Sequence, residues 1–183
     1  MTENFNTVEE VLSWRSFSLD DQVYDLSHLN AHFVEYTDEE NQGNKIKFIV
    51  TYGLHCFTKD SKGFSNEELS LYIYSSSKET RAFDSERYEL SKHLPKIIES
   101  IGNKSTLVCH AGHGNYAIIR VIDLRGNAID YFVVFKLFRE IKRFRLHVMS
   151  AYPCKKEKIQ KVGFFKIVKK LLEGKNLPLP SQK

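Results

Sequence analysis

The sequence predicts an α+β protein built around an antiparallel sheet, and three observations carry the prediction. Two-residue alternation of apolar and polar side chains recurs between residues 46 and 150. One run of helical period, from Leu90 to Ile101, interrupts it. A lysine-rich run with an apolar stripe follows the last strand. The expected organisation of residues 1–183 is a single domain: an acidic N-terminal segment over 1–44, an α+β core over 45–153, and a basic helix with a frayed tail over 154–183.

The elements follow in order. Thr7 and Glu10 have capping-box spacing and predict a short helix from Val8 to about Arg15. Ala31 to Tyr36 reads as a strand, and 38–44 as a polar turn. Ile46, Phe48, Val50 and Tyr52 share one face of a half-buried strand. Leu69 to Tyr74 alternates in the same way and predicts another. Asp84 is placed as an N-cap, after which Leu90, Leu94, Ile97, Ile98 and Ile101 face the core. Pro95 marks the first turn of a second helical piece or a kink, and Gly102 ends the run. Four strands are then expected, over 106–109, 116–122, 129–138 and 144–150, with tight breaks at 125–127 and 140–142. The last three form a meander. Its middle strand is apolar on both faces and is expected to be the most buried. A final helix, 158–172, turns Ile159, Val162, Phe165, Val168 and Leu172 inward and stops at Gly174.

Composition bounds the function classes. A hydrophobic fraction of 42% is too high for disorder, and no run approaches eighteen apolar residues, so no membrane span is expected. The start, Met1-Thr2-Glu3-Asn4, lacks the basic and apolar regions of a secretory signal. Three scattered cysteines, Cys56, Cys109 and Cys154, favour reduced thiols and a cytoplasmic location. The net charge is only +4, but it is unevenly spread. Residues 1–44 carry ten carboxylates against Arg15 alone, whereas residues 155–183 carry nine lysines against Glu157 and Glu173. Such a basic region either concentrates phosphate-bearing partners or is simply a solvated helix face.

Five constellations could carry chemistry. On the strand 143–150, Phe144, Leu146 and Val148 take one face, and Arg143, Arg145, His147 and Met149 the other. Pairing across the hairpins would bring Lys136 and Arg120 beside them, giving either a solvent face or a phosphate platform. Ser150 and Tyr152 stand at that strand's end, where they orient a phosphate or base or merely terminate the strand. His55, beside Cys56, is an acid/base candidate, although neighbours on a strand point apart. Arg87 binds a phosphate or pairs with Glu86 or Asp84. His110 and His113 have a loose metal-ligand spacing without a third ligand, so no metal is assigned and His113 is kept as an acid/base candidate. No Walker loop, dinucleotide fingerprint, zincin helix or serine-hydrolase elbow is present, and no cofactor is implied.

A helix, an antiparallel meander and a last strand ending Ser150-Ala151-Tyr152-Pro153 together resemble the BECR superfamily of metal-independent RNases, which includes barnase, EndoU, colicin-type tRNases and RelE-type toxins. The resemblance covers about residues 46–153. It implies RNA as the partner and cleavage by 2′-OH transesterification without a metal. His55 or His113 would move protons, Arg87 and Arg145 would hold phosphate, and Ser150 and Tyr152 would orient phosphate or base. On this reading Arg120, Lys136, Arg143 and His147, together with Lys161 and Lys169 of the lysine-rich helix outside the region of resemblance, would contact the nucleic acid, and a toxin of this kind implies an antitoxin or other protein partner. The rival reading is a non-catalytic nucleic-acid- or protein-binding module of a mobile-element or defence system. It uses the same basic surfaces and needs no positioned histidine.

Overall fold

A computed structural model of the chain describes residues 12–40, 43–76, 79–112, 115–124, 126–141, 143–154 and 160–178. Strands β1 (Phe17–Leu19) and β2 (Gln22–Tyr24) form a two-stranded ribbon. Its two-residue loop puts Asp20 and Asp21 at φ 47° and 59°. Those left-handed conformations match the twist of a tight hairpin, and the short polar Asp side chain tolerates them. A 3-10 turn (Ser27–Leu29) leads to β3 (His32–Asp38) and β4 (Asn44–His55). Then follow β5 (Thr58–Lys59), helix α1 (Asn66–Tyr72), β6 (Ile73–Ser75) and β7 (Thr80–Phe83). Helices α2 (Ser85–Ser91) and α3 (Leu94–Glu99) come next, with a 3-10 turn at Ser100–Gly102. The chain continues through β8 (Val108–Gly112), β9 (Asn115–Leu124), β10 (Asn127–Arg139), β11 (Phe144–Pro153) and α4 (Phe164–Leu172).

The main sheet has six strands in the order β3-β4-β11-β10-β9-β8. All its neighbours are antiparallel except β11 and β4, which run parallel with Leu146 opposite Val50. The sheet is therefore mixed, not wholly antiparallel as expected. A second sheet, β5-β7-β6, lies beside it. One face of the main sheet holds Phe48, Val50, Tyr52, Leu146, Val148 and Phe135, all fully buried. The helices cover this face. Asp84 accepts a hydrogen bond from the Arg87 amide at 2.9 Å and starts α2. Pro95 sits in the first turn of α3, where its missing N–H costs nothing. Leu90, Leu94, Ile98 and Ile101 are sealed from solvent, and Tyr36 donates to the Ile98 carbonyl at 2.7 Å.

The structure corrects several expectations. Leu69–Tyr74 is not a strand: α1 occupies 66–72, and only Ile73 and Tyr74 belong to β6. Ser65 and Glu68 have the capping-box spacing that the apolar alternation masked. The helix expected over 8–15 lies outside the described residues as far as residue 11, and Leu12–Arg15 is not helical. The final helix starts at Phe164, not Lys158, so the inward residues are Phe164, Ile167, Val168 and Leu171, and Leu172 faces outward. Ile159 lies outside the described residues. The most continuously buried strands are β4 and β11, whose residues 48–54 and 145–148 are buried on both faces, whereas β10, although flanked on both sides, mostly alternates buried and half-buried residues. No helix among the described residues is long and apolar enough to cross a membrane.

Candidate functional site

The sheet brings part of the expected constellation together. His55 ends β4, and the parallel register places Ser150 of β11 opposite it. Nε2 of His55 lies 2.7 Å from Oε1 of Glu79, at the approach to β7, and both side chains are about two-fifths exposed. Arg87 reaches the same strand end from the first turn of α2. Its Nη1 donates to the carbonyls of His55 and Thr58 at 3.1 and 2.9 Å. Its guanidinium carbon is 5.7 Å from the centre of the Tyr152 ring. Arg87 does not pair with Glu86 or Asp84: the Asp84 side chain is used by the helix start and by Lys59. Cys56 beside this cluster is inert. Burial pushes its thiol up to about 12, and it points to the Val148 carbonyl.

Arg145 and His147 do not join this group, and the face they share is not open. Arg145 is fully buried, with Nε 2.7 Å from Oε1 of Glu140, which also pairs with Arg143. His147 is 4% exposed, and its Nδ1 shares a 2.8 Å hydrogen bond with Oγ1 of Thr51. Burial, and then the charge of Arg145, hold the imidazole neutral, with its pKa lowered to about 3. The reading of this face as a solvent side or phosphate platform therefore fails at its centre: Ile49, Thr51 and Phe138 are buried there too. Arg145 also starts its strand while Ser150 lies five positions on, a separation of about 17 Å along an extended chain.

The remaining candidates are dispersed. Lys136 pairs in register with His147 on this face. Arg120 pairs with Tyr131, on the helix-covered face, and its Nη2 donates to Ser100 and Thr106 instead. Lys161 is exposed where the chain bridges to Cys109, and Lys169 is exposed on α4. His113 lies outside the described residues. Among the described residues no group of three or more His, Cys, Asp or Glu is placed to hold a metal ion.

Sequence reasoning missed a second place. Where β4 and β11 begin, a cleft of about 690 Å³ is lined by four cations, Lys45, Lys47, Arg139 and Arg143, against one carboxylate, Glu140. Phe33 and Ile141 border it, 60% and 101% exposed. Nζ of Lys47 sits 4.3 Å from the centre of the Phe33 ring, Lys45 pairs with Glu35 at 2.9 Å, and Arg139 donates to the Leu172 carbonyl at 2.8 Å. The outward alternation of Lys45 and Lys47 around Ile46 was readable. Their meeting with Arg139 and Arg143 depends on the parallel β4–β11 pairing, which no local pattern announces.

Fold and site together define an α+β protein with a mixed sheet, helices on one face and a basic cleft at one end. Residues 16–172 match the model of the YjaZ family. The chain is 44% identical over 179 residues to Protein YjaZ of Escherichia coli (strain K12), an alignment covering 95% of this chain and 99% of that one. The chain belongs to the YjaZ family. No solved structure matches it.

Proposed function

We propose that this protein is a non-catalytic nucleic-acid-binding module and that the basic cleft is its contact surface. The carrying observation is the lining itself: Lys45, Lys47, Arg139 and Arg143 outnumber the carboxylates they meet, Glu140 and, beside Lys45, Glu35, and an exposed aromatic ring stands on the rim. Cations in a concave surface focus the field on a polyanion, and phosphate neutralisation supplies most of the sequence-independent affinity. A neighbouring cleft is lined by Glu35, Asp38, Glu39, Glu40 and Glu99 against Lys104 and Lys166, so polyanions are repelled from that side. The cytoplasm is the compartment this reading implies, consistent with cysteines that form no disulfide among the described residues. The test is binding of labelled RNA over a salt series. The wild type should bind with affinity falling steeply with salt, and Lys45→Glu with Lys47→Glu should weaken binding at least tenfold and flatten the salt slope. His55→Ala should change neither. No salt-sensitive binding by the wild type would sink the proposal.

A second reading, the metal-independent endoribonuclease, is favoured by the His55–Glu79 contact beside Arg87 and Tyr152. Glu79 would orient the imidazole to take the ribose 2′-OH proton. It ranks second because in-line cleavage also needs an acid for the departing 5′-oxygen. Among the described residues the imidazole on the adjoining strand, His147, is buried and neutral, and the other expected proton carrier, His113, lies outside them. Expression in bacteria with and without His55→Ala, scored for growth and RNA integrity, separates the two readings. RNA cut by the wild type and spared by the variant would establish the nuclease.

A further inference from the structure

We infer that the basic cleft takes a single-stranded polynucleotide, with an unpaired base stacked on Phe33 and its phosphates on Lys45, Lys47 and Arg139. The inference rests on the nucleic-acid-binding reading above and names the form of nucleic acid that the site accepts.

The argument starts from Phe33. A phenyl ring on an edge strand of the main sheet, 60% exposed, is poorly placed for stability, since nothing is gained by leaving it in water. Its neighbours are not a random surface. Lys47 sits against the ring, and Lys45 lies two residues before it on the same outward side of β4. The Lys47 ammonium lies over the ring face, 4.3 Å from its centre, so a base that stacks there takes its place and the displaced ammonium meets the phosphate.

Shape favours a single strand over a duplex. Reading a duplex requires a protruding element, a helix or a ribbon, that enters a groove, and the faces of the bases are hidden in the stack. Here the protein surface is the concave partner. Its volume of about 690 Å³ falls within the ~300–1,000 Å³ range of small-ligand sites, which suits a nucleotide or two that enter it. Phe33 and Ile141 border the cleft from β3 and from the turn after β10, three strand spacings apart, or about 14 Å. One strand passes between them, with Ile141 giving a second apolar contact.

The test measures binding of fluorescent oligoadenylate, of oligodeoxyadenylate and of a fully paired RNA duplex to the full chain, for the wild type, Phe33→Ala and Phe33→Trp. The exposed position of Phe33 keeps both variants folded, which circular dichroism checks. The wild type should bind single strands more tightly than duplex. Phe33→Ala should weaken single-strand binding by about five- to a hundredfold while leaving duplex binding unchanged, and Phe33→Trp should restore it. Binding of either single strand supports the proposal, and the tighter of the two names the source as RNA or DNA. Equal affinity for duplex and single strand, indifferent to Phe33 but lost in Lys45→Glu with Lys47→Glu, overturns the single-strand inference and leaves the nucleic-acid reading standing. Binding of none of the three probes overturns both.

Discussion

Nε of Arg145 lies 2.7 Å from Oε1 of Glu140, and the arginine side chain has almost no contact with solvent. A buried cation that loses its partner, or a buried carboxylate left alone, destabilises a protein by about 3–5 kcal/mol, whereas an apolar replacement of similar volume is tolerated far better. Glu140 keeps some water contact, which moderates the effect. Arg145→Ala should therefore lower unfolding stability by about 3 kcal/mol in urea melts, and Arg145→Met by about half as much. An unchanged midpoint for Arg145→Ala would refute this structural role. Loss of function in that variant would report unfolding, not chemistry.

Acid should weaken the fold through His147. Folded, the ring stays neutral down to about pH 3; unfolded, it takes a proton below its ordinary value of 6.5. Its stabilising contribution is complete above pH 6.5 and is lost progressively as the pH falls toward 3, at up to about 1.4 kcal/mol per pH unit. His28 and His110 are also pushed down, chiefly by burial, and add slope of the same sign. Urea melts between pH 7.5 and pH 4 should show the decline, and His147→Asn, which preserves a partner for Thr51, should flatten it. A variant with the wild-type slope would assign the effect to other groups.

Gly53 is fixed by a close approach between strands, not by its backbone angles. A Cβ there would stand 2.8 Å from the Met149 carbonyl oxygen and 3.3 Å from that of Val148. Gly53→Ala should push β4 away from β11 and cost about 1–3 kcal/mol. Thermal melts should show a fall of several degrees; an unshifted midpoint would mean that the strands separate freely at this point.

Asp84 caps α2 and also holds Lys59 at 3.0 Å. Asp84→Ala should cost about 1 kcal/mol through the lost cap, with little added from the part-exposed ion pair. Asp84→Asn should recover most of the difference, because the amide oxygen also accepts from the Arg87 N–H. Equal losses for the two variants would shift the weight to the ion pair.

The sequence was most readable where one local rule acted alone. Asp84 before a helical run, and Leu90, Leu94 and Ile98 at helical spacing, announce both a helix start and its buried side. The alternation of Ile46, Phe48 and Val50 announces a strand. Short runs misled: six residues such as Leu69–Tyr74 fit a period of two and a period of 3.6 almost equally. Arg145 and His147 looked like a solvent face because alternation reports that two faces differ, not what covers each. For the site, Ser150 and His55 share a strand end only through the parallel pairing, and the same pairing assembles the basic cleft from residues in four separate stretches of chain.

That parallel pairing joins Thr51 and His147, residues 96 positions apart. During synthesis the hairpin of β3 and β4 leaves the ribosome long before β11 exists, with one apolar edge open and no local strand able to close it. High contact order of this kind slows folding toward the millisecond-to-second range and prolongs exposure of a sticky intermediate. The edge of β4 should therefore stay exposed on the nascent chain until its tenth and eleventh strands have been translated.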